Sequence, residues 1–117
     1  MNLGKQGEEA AYRFLAESGY EVLERNYRIG RDELDIIARH DNMLVILEVK
    51  TRSSNSHGYP EEFVNAAKQK RMVRAAAAYL EAHFPQASLR FDVISVELKR
   101  NSLIINHFKD AFYPYQE

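Results

Sequence analysis

The segment LVILEVKTR, residues 44–52, places an acid and a base in what otherwise reads as a buried strand. Leu44 to Leu47 are all apolar, and Glu48 and Lys50 follow with only Val49 between them. Side chains alternate along a strand, so Glu48 and Lys50 share a face. A turn centred on Asp41-Asn42 sets His40 against Met43 and, further along the hairpin, Asp35 against Glu48. Directly opposed side chains on paired strands have Cβ atoms about 5 Å apart, and like charges there destabilise the pair. Either one carboxyl takes a proton or a cation sits between the two. The oxygen donors suit Mg²⁺ (or Mn²⁺), since such an ion is held by one or two carboxylates plus waters and substrate phosphate. A bound ion would lower the pKa of its water and polarise a phosphate. The Lys50 ammonium beside that phosphate would stabilise developing negative charge or orient the attacking water.

A third acid is available in Glu8, next to Gly7. Gly4 and Gly7 stand three apart, where a helix could approach a strand closely. Glu8 could then lean over the sheet toward the same ion as Asp35 and Glu48, near Lys50. Plainer accounts cover some of these residues. The same register sets Glu33 against Lys50, an exposed ion pair worth under roughly 1 kcal/mol. An acid early in a helix, such as Glu8, complements the helix dipole. Neither account covers Asp35 against Glu48.

Other chemistries fit less well. His40, His57, His83 and His107 are scattered without zinc-ligand spacing. The chain has no cysteine, which excludes disulfides and thiolate metal sites. It also lacks a nucleophile elbow and a phosphate-cradling glycine loop.

The elements that must position these residues follow from periodicity. Residues 3–18 read as a helix with Gly7, Ala10, Ala11, Phe14 and Leu15 on one face, stopped at Gly19. Strands are expected at 20–28, 33–39 and 43–51, the last two joined by a turn at His40-Asp41-Asn42. Pro60 suits the first turn of a second helix, continuous or broken once, running to about Phe84, with Ala66, Val73, Ala76, Ala77 and Leu80 as its buried stripe. Two strands, 88–98 and 102–108, close the chain through Lys99-Arg100-Asn101. The order α-β-β-β-α-β-β implies an α/β fold, a mixed sheet with helices packed on it. Phe108, Phe112, Tyr113 and Tyr115 near the C-terminus are expected to pack on the domain or in a subunit contact.

The 117 residues suggest a single domain, 1–117. No stretch resembles a signal peptide or spans a bilayer, and a cytoplasmic protein without membrane contact is expected. The formal charge of −1 argues against coating nucleic acid by bulk charge but allows local basic faces. Arg25, Arg28 and Arg31 form one cluster; Lys68, Lys70, Arg71 and Arg74 form another.

The spacing Asp35-(x)12-Glu48-Val49-Lys50 resembles the PD-(D/E)XK nuclease signature on a restriction-endonuclease-like core. With Glu8 on a leading helix it looks most like the Holliday-junction resolvase branch. The whole chain also resembles the YraN-like family of small bacterial proteins. The matching pieces are Gly4-x-x-Gly7-Glu8, Asn26-Tyr27-Arg28, Glu33-Leu34-Asp35, Glu48-Val49-Lys50-Thr51-Arg52, Gly58-Tyr59-Pro60, Lys68 and Arg90-Phe91-Asp92. Two departures stand out: Leu34 replaces the signature's proline, and Asp32 stands where these proteins usually have glycine.

The resemblance implies a three-layer restriction-endonuclease-like fold, a mixed sheet flanked by helices. It implies Mg²⁺- or Mn²⁺-dependent phosphodiester hydrolysis on branched or structured DNA. Glu8, Asp35 and Glu48 would be the ligands and Lys50 the catalytic lysine. Arg25, Arg28, Arg52, Lys68 and Arg71 are candidate phosphate contacts, and a homodimer would suit a branched duplex. Two other functions are consistent with the residues: a non-catalytic nucleic-acid-binding module, and an adaptor that holds a protein partner through the aromatic tail.

Overall fold

The computed structural model describes residues 2–53 and 64–112. Helix α1 spans Leu3–Glu17, strands β1, β2 and β3 span Glu21–Ile29, Asp32–His40 and Met43–Ser53, helix α2 spans Ala66–His83, and β4 and β5 span Ser88–Lys99 and Ser102–Phe112. The order is the one the periodicity implies. The strands form one five-stranded sheet in the order β1-β2-β3-β4-β5. All neighbours are antiparallel except β3 and β4, which run parallel. A parallel pair needs a crossover, and α2 supplies it.

The helices cover opposite faces of the sheet. Ala11 and Leu15 of α1 pack with Ile36, Val45, Leu47, Ile94 and Val96. Met72, Ala75, Ala76 and Tyr79 of α2 pack with Ile37, Leu44, Ile46, Phe91 and Val93. The result is a three-layer α/β/α arrangement, as expected. Along β3, even-numbered residues therefore face α2 and odd-numbered ones face α1.

Local chemistry sets the helix ends. The Asn2 side chain accepts from the Lys5 N–H at 2.8 Å, and the Asn65 side chain accepts from the Lys68 N–H at the same distance. Each caps a helix start by satisfying a free donor. Gly19, at φ +88°, ends α1 in the left-handed region that glycine tolerates.

The expected buried stripe of α2 needs correction by rotation. Met72, Ala75, Ala76 and Tyr79 are buried, whereas Ala66 and Ala77 are exposed and Val73 and Leu80 only flank the core. In a run of four alanines, composition gives little phase information. The face is set by the large residues, and Met72 and Tyr79 lie seven apart on one side. Pro60, Gly58 and Tyr59 fall outside the described residues, as do Tyr113 and Tyr115. Phe112 is buried and stacks on Phe91 at 5.0 Å between ring centroids, within a strand four residues longer than expected.

Gly7 fixes how close α1 comes to the sheet. It is buried, and an added Cβ would lie 1.9 Å from Thr51 Oγ1 and 2.8 Å from Thr51 Cβ. Gly7→Ala should therefore cost about 2 kcal/mol by overpacking, despite alanine's better helix propensity. Urea unfolding of Gly7→Ala alone and paired with Thr51→Ala checks this. The second change removes the two outer clashing atoms and should recover part of the loss. Gly4 has open space apart from the cap Asn2, so only one of the two small residues makes the close approach.

A buried polar hub fastens β4 on the α1 face. Asp92 is fully buried, and both of its carboxylate oxygens are engaged. Arg90 donates to them at 2.9 and 2.8 Å, the Asp110 N–H donates at 3.0 Å, and His107 Nε2 lies 2.7 Å away. Arg90 also donates to the Tyr20 hydroxyl at 2.7 Å. Burial pushes the Asp92 carboxyl up, but His107, Arg90 and the Asp110 N–H together hold it below the usual carboxylate range.

Candidate metal and phosphate site

Strands β2 and β3 pair from His40↔Met43 to Ile36↔Leu47, the register that the Asp41-Asn42 turn sets. Asp41 adopts φ +54° in that turn. The ladder ends one step before Asp35 and Glu48. There a side chain takes over the backbone's work: the Asp35 carboxylate accepts from the Val49 N–H at 2.8 Å. Asp35 and Glu48 thus meet on the α2 face at the end of a paired hairpin.

Glu48 is only 4 % exposed. Burial pushes the Asp35 carboxyl up, and its hydrogen bond and repulsion with Glu48 push it further, to about 8. Burial also works to raise Glu48, but the hydrogen bond from Asp35 and the contact with Lys68 outweigh it, and Glu48 stays below its usual range. At neutral pH the pair therefore holds one proton, on Asp35, and one negative charge, on Glu48. The Lys68 ammonium, from the first turn of α2, forms an ion pair with Glu48 Oε2. Lys50, two residues along on the same face, adds to the positive field on Glu48.

Two carboxylates converge in a largely dry position, and a proton and an ammonium neutralise what would otherwise be two adjacent charges. Oxygen donors of that kind fit Mg²⁺ or Mn²⁺ with the remaining positions open to water and phosphate. Asp35 and Glu48 would hold the ion.

Glu8 is not brought to this pair. Among the described residues no group of three His, Asp or Glu side chains stands close enough to hold a metal. Glu8 projects from α1, which covers the other face, and lines a surface pocket with Lys5, Glu9, Arg25 and Asn26. Close packing at Gly7 does occur, but it serves Thr51.

The expected phosphate contacts divide. Arg25 is committed to α1: it donates to Glu9 at 2.9 Å, and its guanidinium lies 4.4 Å from the Tyr12 ring centroid. Arg28 pairs with Glu33 across β1 and β2 at 3.2 Å, so Glu33 does not take Lys50. Arg52 lies on β3 in the same alternation as Glu48 and Lys50. Arg71 is exposed on α2, where its charge helps hold Asp32 low.

Asp32 is buried and receives both a 2.9 Å and a 2.8 Å bond from Arg74. That bond is the main cause of its lowered pKa. The acid that departs from the YraN-like pattern thus ties the start of β2 to α2 and does not join Asp35 and Glu48.

Sequence reasoning set Lys68 against substrate and missed its contact with Glu48. The signal was topological. A crossover helix begins above the carboxyl end of the strand before it, so a first-turn side chain reaches what that strand presents.

A three-layer α/β core with paired acids and a lysine where two strands part defines the class. The chain belongs to the family described as Uncharacterised protein family UPF0102, whose model matches residues 7–96. A UPF0102 protein of Bacteroides thetaiotaomicron is 49% identical over 112 residues, covering 96% of this chain and 93% of the relative. One from Flavobacterium psychrophilum is 44% identical over 114 residues, covering 97% and 96%. One from Chlorobium phaeobacteroides is 53% identical over 96 residues, covering 81% and 76%. Among solved structures, Pyrococcus furiosus SfsA in complex with Ca²⁺ aligns with 92% of this chain at 13% identity and a TM-score of 0.40. This chain spans 62% of the SfsA chain.

Proposed function

We propose that this protein is a metal-dependent nuclease of the PD-(D/E)XK kind, hydrolysing phosphodiester bonds in branched or structured DNA. The observation that carries the reading is the meeting of Asp35 and Glu48 on the α2 face, with Lys50 two residues further along. Asp35 and Glu48 would hold a Mg²⁺ or Mn²⁺ ion, and Glu8 stands outside the pair. When bound, the ion supplies an acidified water and a polarised phosphate. The Lys50 ammonium would stand beside the scissile phosphate and offset the negative charge that develops there during hydrolysis. Arg52, Lys68 and Arg71 hold the flanking phosphates, a contribution that is independent of sequence and weakened by salt.

A two-fold dimer would present one site to each strand of a junction. The proposed location is the cytoplasm; no helix of the described residues is long and apolar enough to cross a membrane. The adaptor reading loses ground, because Phe112 is buried against Phe91 and Phe108 packs on the same core.

The test is a panel of labelled duplex, single-stranded, flap and four-way DNA incubated with Mg²⁺, Mn²⁺ or EDTA. Cleavage of flap or four-way DNA that needs the ion, and that Glu48→Gln loses, is expected. Metal-independent binding with no cleavage of any substrate supports the binding-module reading instead. A matched measurement separates the ligands. Calorimetric Mn²⁺ uptake should vanish in Glu48→Gln and persist in Glu8→Gln; loss in both would restore Glu8 as a ligand.

A further inference from the structure

We propose that Lys68 is a built-in competitor of the divalent ion: its ammonium neutralises Glu48 when the site holds no metal and is released toward substrate phosphate when metal enters. The inference rests on the metal reading of Asp35 and Glu48 and adds a regulatory step to it. Three observations carry it.

The first is position. Lys68 pairs with Oε2 of a carboxylate whose side chain is 5 % exposed, so an ion entering beside Glu48 meets the ammonium there. The second is anchoring. The backbone of Lys68 is held by the Asn65 cap at 2.8 Å, and Gln69 donates to the Val64 carbonyl at 2.9 Å, with Val64 buried. The base of the side chain is therefore fixed over the end of β3 while its tip keeps rotamer freedom. The third is an exit. The Lys68 side chain is 31 % exposed, and the neighbouring Lys70 and Arg71 are exposed on the same helix. A displaced ammonium moves into a basic surface suited to phosphate.

The thermodynamic consequence is linkage. A ligand that binds only the minor, lysine-displaced state has its apparent affinity reduced by the fraction of that state. Displacing Lys68 makes one more cation available to DNA, so metal and polyanion favour the same state and strengthen one another.

The experiment is Mn²⁺ titration by calorimetry, without nucleic acid, on the parent chain, Lys68→Met, Lys68→Ala and Lys70→Met. Far-UV circular dichroism verifies folding, and two substitutions at Lys68 guard against one failing to fold. Lys70→Met removes the same unit of charge two residues away without touching Glu48. The expected result is Mn²⁺ affinity raised about five-fold or more in both Lys68 variants, and changed less than about two-fold in Lys70→Met. Parent-like or weaker affinity in the Lys68 variants, or an equal gain in Lys70→Met, overturns the competitor role while leaving the metal site intact. No uptake by any of the four proteins overturns both the competitor and the metal reading. Tighter uptake in the Lys68 variants, from a parent that cuts no DNA, upholds the competitor and removes the nuclease.

Discussion

Lys50→Ala should slow single-turnover cleavage of the best substrate by about 100-fold or more, the usual loss when a charge aimed at the transition state is removed. Binding of the same DNA should stay close to that of the parent. The reason lies in where Lys50 stands. It shares the α2-facing alternation of β3 with Glu48 and is half-buried, so its charge acts through a medium less screening than water. Phosphate binding away from the scissile bond rests on Arg52, Lys68 and Arg71, which this variant keeps. Lys50 is not an oxygen donor, so Mn²⁺ uptake should persist and should tighten slightly as a neighbouring positive charge disappears. Cleavage at the parent's rate would remove Lys50 from the mechanism and leave the field of Lys68 as the charge that matters.

Asp35→Asn should make the metal-free protein more stable at pH 9, by several kcal/mol, with the gain shrinking as pH falls and vanishing only below the unfolded carboxylate range, at about pH 4. The sign follows from the direction of the shift. The folded Asp35 carboxyl titrates near 8, well above its unfolded value. Between those values the folded state holds a proton that the unfolded state has lost. Stability therefore declines as pH rises through that window, and the full loss is present above it. Asparagine cannot ionise, yet its oxygen still accepts from the Val49 N–H, so the variant escapes the decline without losing the bond. Thermal melts in EDTA from pH 4 to 9 measure the gap. The same variant should lose stabilisation by Mn²⁺, giving a protein that is sturdier without the ion and unresponsive to it. A gap that stays constant with pH would show that Asp35 does not carry the shared proton.

Much of this architecture was legible in the chain. The hairpin register followed from one turn, Asp41-Asn42, which sets His40 against Met43 and fixes every pair after it. The end of α1 followed from Gly19, which acts through local geometry, whereas the capping roles of Asn2 and Asn65 emerged only with the fold. The phase of α2 was not legible, because four successive alanines carry almost no directional burial signal. Side chains joined across long sequence separations were equally hidden. Asp32 with Arg74, Asp92 with His107 and Glu48 with Lys68 depend on how α2 and β5 fold back over the sheet. The placement of Glu8 failed for a related reason. Residues adjacent in sequence on a helix diverge by about 100°, so the close approach at Gly7 does not deliver its neighbour to the same place.

The central position of β3 carries a further consequence. It is flanked by both β2 and β4 as far as Leu47, and its register with β4 runs unbroken from Met43 to Ser53. Amides on such a strand surrender their protons to solvent only when the whole fold comes apart. The backbone from Leu44 to Leu47 is therefore among the slowest parts of the molecule to open, whereas beneath Glu48 and Lys50 β4 alone pairs with the strand, and adjustment to a substrate is easiest there.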